Sequence, residues 1–252
     1  MTLQEFQTRV QHAKNLDFGD IFNKSIALFK KVWVQGLIML LLTMVIMIPI
    51  WFIMYLPMIA AGFIDLNASE MSNDWSVLLM IPFGILVFAF SLFAMVISFG
   101  MRAGFYRICK MKDLNQAGPD DYFFYLKKPY LGKVIKLSLA SFGIVILATM
   151  LCVFPVIYVS VPIALMYVVF AMNPEMPVSD IIKSSFALGN KKWFLTFGLL
   201  IIAGILSGIV GMLLCGIGIY ITASFSYIPA YYIYKESVGF DNSDDLKQIE
   251  SF

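Results

Sequence analysis

Side chains able to run chemistry are scarce in this sequence. Its single histidine, His12, sits in a polar N-terminal stretch, whereas a zinc or iron site needs several His, Cys or carboxylate ligands converging on one ion. The cysteines, Cys109, Cys152 and Cys215, have no histidine near them in the apolar segments to act as a base. They read as small apolar packing residues, although Cys152 and Cys215 both fall near the outer ends of apolar segments, where pairing is geometrically open. Neither a Gly-x-Ser-x-Gly elbow nor a phosphate-cradling glycine loop followed by lysine occurs. No catalytic residue, metal or cofactor is therefore expected. Intramembrane carboxylates, the usual mark of a proton or ion pathway, are missing as well, because none of the 16 Asp and Glu residues falls within an apolar block.

The charged residue nearest to those blocks is Arg102, which follows Phe99-Gly100-Met101. Two readings of it are open. Its guanidinium snorkels to phosphate headgroups, or it pairs with Asp20 or Asp180 beneath the bundle and couples an amphipathic helix to the second span. Each aspartate in turn reads either as that partner or as a carboxylate in a first helical turn, where the helix dipole favours it by ~0.3 to 1 kcal/mol. Gly204, Ser207, Gly208 and Gly211 put small residues on one apolar segment at helical spacing, a face that lets another backbone approach closely, inside the bundle or between two copies. Trp33, Trp75 and Trp193, with Tyr231 and Tyr234, read as anchors at membrane–water interfaces.

Composition fixes the kind of element that must hold these residues. Of 252 residues, 60% are hydrophobic and 13% charged, and the mean hydropathy is +0.84. A soluble globule cannot hide that much apolar surface. The apolar residues form four uncharged blocks, Val32 to Ile64, Ser76 to Met101, Leu137 to Asn173 and Trp193 to Tyr234, and a membrane helix needs roughly 20 such residues. The last two blocks are about twice that length and are expected to fold back, the third near Pro155 and the fourth at Gly216 and Gly218. The expected fold is all-α, a polytopic bundle of six transmembrane helices over about 33–60, 76–101, 133–153, 155–173, 193–214 and 217–235, with a tail over 236–252.

Charge sets the orientation, since Lys and Arg near span ends stay on the cytoplasmic side. All 18 of them fall in the N-terminal segment, the two segments 102–136 and 183–192, and the tail. The first opposite loop, with Asp65, Glu70 and Asp74, carries only acids. Both termini are thus expected in the cytoplasm of a cell whose plasma membrane, a bacterial inner membrane, holds the protein. No cleavable signal peptide is expected, because the first thirty residues lack an apolar h-region. The Asn67-Ala68-Ser69 sequon on the outer side has no meaning in a bacterium. A basic inner face suits anionic headgroups, so the expected partners are membrane lipids and other membrane proteins or further copies of the chain, with nucleic acid excluded.

The chain also repeats itself at an offset of 160 residues. Asp20-Ile21, Ser25, Ala27-Leu28, Lys31 and Trp33 recur as Asp180-Ile181, Ser185, Ala187-Leu188, Lys191 and Trp193. Apolar spacing of i, i+3, i+4 predicts an amphipathic, interfacial helix in each copy, over 17–31 and 178–190, with Gly189-Asn190 as a stop in the second. A third copy is expected over 119–130, so that the bundle reads as three hairpins, each preceded by such a helix.

The segments Asp17 to Trp33 and Val178 to Trp193, the glycine-rich fifth span and the closing Tyr231-Tyr232-Ile233-Tyr234-Lys235 resemble the uncharacterised bacterial six-span proteins related to the membrane domain fused to glycerophosphodiester phosphodiesterases. The resemblance covers roughly half of the chain and implies an integral membrane module. The phosphodiesterase domain itself has no counterpart here, so hydrolysis does not carry over. The expected function is a non-catalytic scaffold or accessory module of a membrane complex; the alternative is a carrier or binder of lipid or another small hydrophobic molecule, and a lipid-modifying enzyme ranks third.

Overall fold

The computed structural model describes residues 1–65, 73–151, 153–214, 216 and 218–240. Among them every regular element is helical: α1 (Leu3–Gln11), α2 (Phe18–Asp65), α3 (Asn73–Asp113), α4 (Leu131–Leu151), α5 (Val153–Met172), α6 (Val178–Lys191), α7 (Trp193–Leu213), α8 (Gly218–Thr222) and α9 (Ile228–Ser237), with 3-10 turns at Phe124–Leu126 and Ala223–Tyr227. Five of these helices, α2, α3, α4, α5 and α7, are long and apolar enough to cross a membrane. The sequon, Cys152, Cys215, the tail beyond Phe240 and the Trp75 side chain lie outside what is described.

Three sequence expectations change. The helix expected over 17–31 is not a separate element, because α2 runs unbroken from Phe18 into the first span. The segment matched to it at an offset of 160, α6, does end, at Lys191, before α7 begins. The register explains the difference. Position 192 is equivalent to 32, where the first copy has a fully buried valine, whereas Lys192 turns its ammonium aside to the Lys14 carbonyl at 2.6 Å. Gly189 is not the stop. It lies inside α6, where a Cβ would come within 3.0 Å of Pro162 Cγ, so it is a contact point between α6 and α5. Lastly, 119–130 is not a helix but a loop with a single 3-10 turn.

The two copies nevertheless treat equivalent residues alike. Ile21 and Ile181, Ser25 and Ser185, Leu28 and Leu188 are all at most 1% exposed. Ser25 Oγ donates to the Ile21 carbonyl and Ser185 Oγ to the Ile181 carbonyl, both at 2.7 Å.

Packing concentrates at one end. The buried residues come from the start of α2, the last turns of α3 from Phe99 to Met111, the second half of α5, α6 and α9. Toward the other end of the long helices large apolar side chains are exposed, among them Trp51, Phe52, Ile85 and Leu147. The expected sixth span is built in three pieces, α8, a 3-10 turn and α9. α6 folds back along α5, so that Gly189 meets Pro162 and Tyr158 Oη donates to Asn190 Oδ1 at 2.5 Å.

Close crossings use Gly211 of the small-residue face, where a Cβ would stand 2.6 Å from Ile219 Cγ1, and also glycines that the face did not single out. A Cβ on Gly104 would stand 2.6 Å from the Tyr122 carbonyl oxygen, whereas one on Gly204 would meet nothing within 4 Å. Gly104→Ala should therefore destabilise by about 1 to 3 kcal/mol through overpacking, and Gly204→Ala should be neutral or stabilise by up to ~1 kcal/mol through helix propensity. Thermal unfolding of the detergent-solubilised variants reads the difference, and equal shifts would contradict the crossing.

Candidate functional site

The last turns of α3 carry Arg102, Tyr106 and Asp113 at helical spacing, and α9 presents its tyrosines to them. Arg102 lies between two rings, its Cζ 4.7 Å from the centroid of Tyr227 and 5.2 Å from that of Tyr167 on α5. Each such contact contributes about 0.5 to 2 kcal/mol, more as it is desolvated. Tyr106 Oη donates to the Tyr227 carbonyl at 3.0 Å, which ties the backbone at Tyr227 to α3.

About two turns beyond Tyr106 on α3, Asp113 accepts three donors. Tyr231 Oη and Lys235 Nζ reach Oδ2 at 2.8 and 2.6 Å, and Tyr232 Oη reaches Oδ1 at 3.1 Å. The carboxylate side chain is only 13% exposed, and its charge is met by one ammonium and two hydroxyls. Around this centre Asn173 Nδ2 donates to the Val169 carbonyl at 3.1 Å and to Tyr234 Oη at 2.7 Å. Phe6 of α1 packs on the Tyr234 ring at 6.2 Å, and Lys110 Nζ lies 4.8 Å over the Phe240 ring.

The structure does not bring Arg102 to either aspartate; tyrosine rings take that place. Asp20 stands in the first turn of α2, where its N–H donates to the capping Asp17 Oδ1, and its carboxylate holds Lys24 at 2.8 Å, which in turn reaches Glu236 at 2.9 Å. Asp180 stands in the first turn of α6 and accepts from Ser179 Oγ at 3.2 Å. Comparisons with protein families, with curated proteins and with solved structures find no match to the chain, so the site is read from its geometry. The small-residue face is split. Ser207 and Gly211 pack against α8, the Ser207 carbonyl accepting from Thr222 Oγ1 at 2.7 Å, while Gly204 and Gly208 face open space. Trp33 is exposed and Trp193 half-buried, its Nε1 donating to the Tyr158 carbonyl at 3.0 Å. Tyr231 and Tyr234 are not interfacial anchors: both are buried in the core. His12 lies exposed, its Nδ1 2.9 Å from the Thr8 carbonyl.

Two groups outside the spans respond to burial. Desolvation, with Lys191 alongside, holds the Lys192 ammonium below the usual lysine range. Burial, with Asp120 alongside, pushes the Tyr122 phenol up to about 12.

Asp113, Tyr167 and Tyr227 carry the site, and the sequence reading passed over them. A signal existed: Arg102, Tyr106 and Asp113 share one helical face, and four tyrosines crowd Tyr227 to Tyr234. The arrangement is a set of ring contacts and hydrogen bonds between helices. What it does is bind α3 to α5 and α9. Asp113→Ala would leave two hydroxyls and the partly buried Lys235 ammonium, 28% exposed, without their acceptor, a loss of ~1 to 3 kcal/mol, whereas Asp20→Ala at a side chain 55% exposed should cost ~0 to 1 kcal/mol. Melting temperatures of the two variants test this, and comparable small shifts would remove Asp113 from the centre.

Proposed function

We propose that this chain is a non-catalytic integral membrane module, multi-pass with both termini on the cytoplasmic side of a plasma membrane, that scaffolds or assists a membrane complex. One observation carries the reading, the filled inner end of the bundle: Phe99, Met101, Phe105, Phe170, Tyr231 and Tyr234 are each at most 1% exposed. A solid centre suits a platform, whereas a carrier needs a central site that opens alternately to the two sides. The likeness of 17–33 and 178–193 to the membrane domain found fused to phosphodiesterases supports the same conclusion, as do the matching burial and hydrogen bonds of the two repeat copies.

In this reading the six apolar segments do not enter the membrane equally. Tyr158 lies twelve residues before Phe170 on α5, about 18 Å along a helix, so in a crossing helix it would sit in the outer half of the layer. Instead it bonds Asn190, next to Lys191 and to Lys192, whose ammonium holds the Lys14 carbonyl just before α2 begins. Exposed lysines belong at the inner surface, not in hydrocarbon. We therefore read α4 and α5 as a hairpin that enters from the inner side and returns, with α2, α3, α7 and the final α8–α9 segment crossing. An even number of crossings keeps both termini inside.

A carrier of lipid or another small hydrophobic molecule is the second reading. It is favoured by an apolar cavity of about 500 Å³ between α2 and Tyr220, lined by Leu40, Met44, Met47, Trp51 and Phe52 among others.

Two measurements separate these. In proteoliposomes carrying a fluorescent phospholipid, quenching from outside should proceed at the protein-free rate, and protein-dependent acceleration would favour the carrier. In a background with Cys109 and Cys215 replaced by serine, an impermeant thiol reagent added outside should leave Cys152 unmodified while it labels a cysteine placed at Asn67. Cysteines at Gln116 and Asn242 should react only from the inner side. Outside labelling of Cys152 would restore six crossing helices.

A further inference from the structure

On the flank of α3 facing away from the Asp113 centre, one arginine is buried without an anion. Arg107 is 5% exposed, and its Nε and Nη1 have no hydrogen-bond partner. The guanidinium lies over the Phe124 ring, Cζ 4.2 Å from the centroid, so the ring covers one side of it. An arginine in such a position is costly to leave unanswered, because both the charge and the donors have lost water. The carboxylate that lines the same cavity is already engaged: Asp121 Oδ1 accepts the Phe123 N–H at 3.0 Å and Oδ2 accepts Lys127 Nζ at 2.6 Å.

Arg107 lines a cavity of about 310 Å³ together with Asp121, Phe124, Lys127, Lys128 and Tyr130. Three cations and one carboxylate leave the pocket with a positive excess. We propose that this cavity binds a phosphate group, as a phosphomonoester or phosphodiester of a lipid headgroup or as free phosphate, with its oxygens on the Arg107 guanidinium and on the lysines of the rim. A planar fork of N–H donors matches an oxyanion with two or more oxygens, and an exposed lysine such as Lys128 adds charge without demanding geometry. The volume, at the lower end of ligand cavities, holds a headgroup and not acyl chains. Those have a place immediately beside it, since α4 starts at Leu131 and turns Ile135 and Leu139 outward, 45% and 56% exposed. The site stands whether the module scaffolds or carries, because it lies at the side of the bundle and not on any path through it.

The test uses the full chain in neutral detergent at constant ionic strength. Thermal unfolding and native mass spectrometry follow additions of inorganic phosphate with chloride as control, and of short-chain phosphatidylglycerol with phosphatidylcholine as control. Stabilisation by phosphate and by phosphatidylglycerol alike supports the site with free phosphate as a sufficient ligand. Stabilisation by phosphatidylglycerol alone supports it with the headgroup as the source. In either case Arg107→Gln should abolish the saturable shift and Lys128→Gln should weaken apparent affinity by about three- to tenfold, while Lys183→Gln, on α6, leaves it unchanged. Should Arg107→Gln fail to fold, Lys128→Gln, at an exposed position, still decides. No saturable shift from either ligand, or a shift equally large in Lys128→Gln and Arg107→Gln, overturns the proposal.

Discussion

A helix surrounded by hydrocarbon gains nothing by hiding its apolar face, so cohesion has to come from close packing and from polar contacts that lipid cannot supply. The distribution of contacts in this protein follows from that constraint. Where α2, α3 and α7 are clothed in large apolar side chains, they make few demands on one another. Where they leave the apolar layer, hydrogen bonds and ring contacts gather: Asp113 with its three donors, Arg102 between Tyr167 and Tyr227, Asn173 on Tyr234. The end of the bundle that holds these contacts is thus the part that resembles a soluble core.

Aromatic rings serve that end as counterparts for cations. Arg102, Arg107, Lys110 and Lys235 each lie over a ring, in a chain whose acidic residues are spread over loops and helix starts. A ring quadrupole attracts a cation without needing the water that a carboxylate would have to give up. This arrangement permits basic residues, required near the membrane for orientation, to be used for packing too. It also explains why Tyr231 and Tyr234, which look like headgroup anchors when read as a terminal aromatic run, are turned inward: their hydroxyls have fixed partners in Asp113, 13% exposed, and in the buried Asn173.

The helical architecture and its apolar blocks were legible because they depend on composition over tens of residues. Ile21, Ser25 and Leu28, with their counterparts 160 positions later, were equally legible, since a period of 3.6 residues exposes a buried face directly. What the linear pattern could not carry is how consecutive helices join. Lys31-Val32 and Lys191-Lys192 differ by one side chain, yet one junction is continuous and the other broken, because Lys192 has a carbonyl in a distant segment to bind. The Arg102 partners were missed for a related reason. Opposite charge was sought where the tertiary fold supplies aromatic faces, and nothing in the spacing of Asp20 or Asp180 distinguishes a cap from an ion-pair partner. The small-residue stripe failed by half, since Gly204 and Gly211 lie seven positions apart, nearly two turns, and only one of them meets a neighbour.

The first and last described helices close upon one another. Arg9 donates to the Val238 carbonyl at 3.1 Å across 229 residues of chain, and Phe6 lies against Tyr234. During synthesis α1 therefore leaves the ribosome long before the surface it covers exists; at ~5 to 20 residues per second the interval is about 10 to 50 s. Throughout that time Phe6 and Val10 must be sheltered by something other than their native neighbours, the membrane surface or a chaperone, and the bundle is sealed only as its final helix arrives.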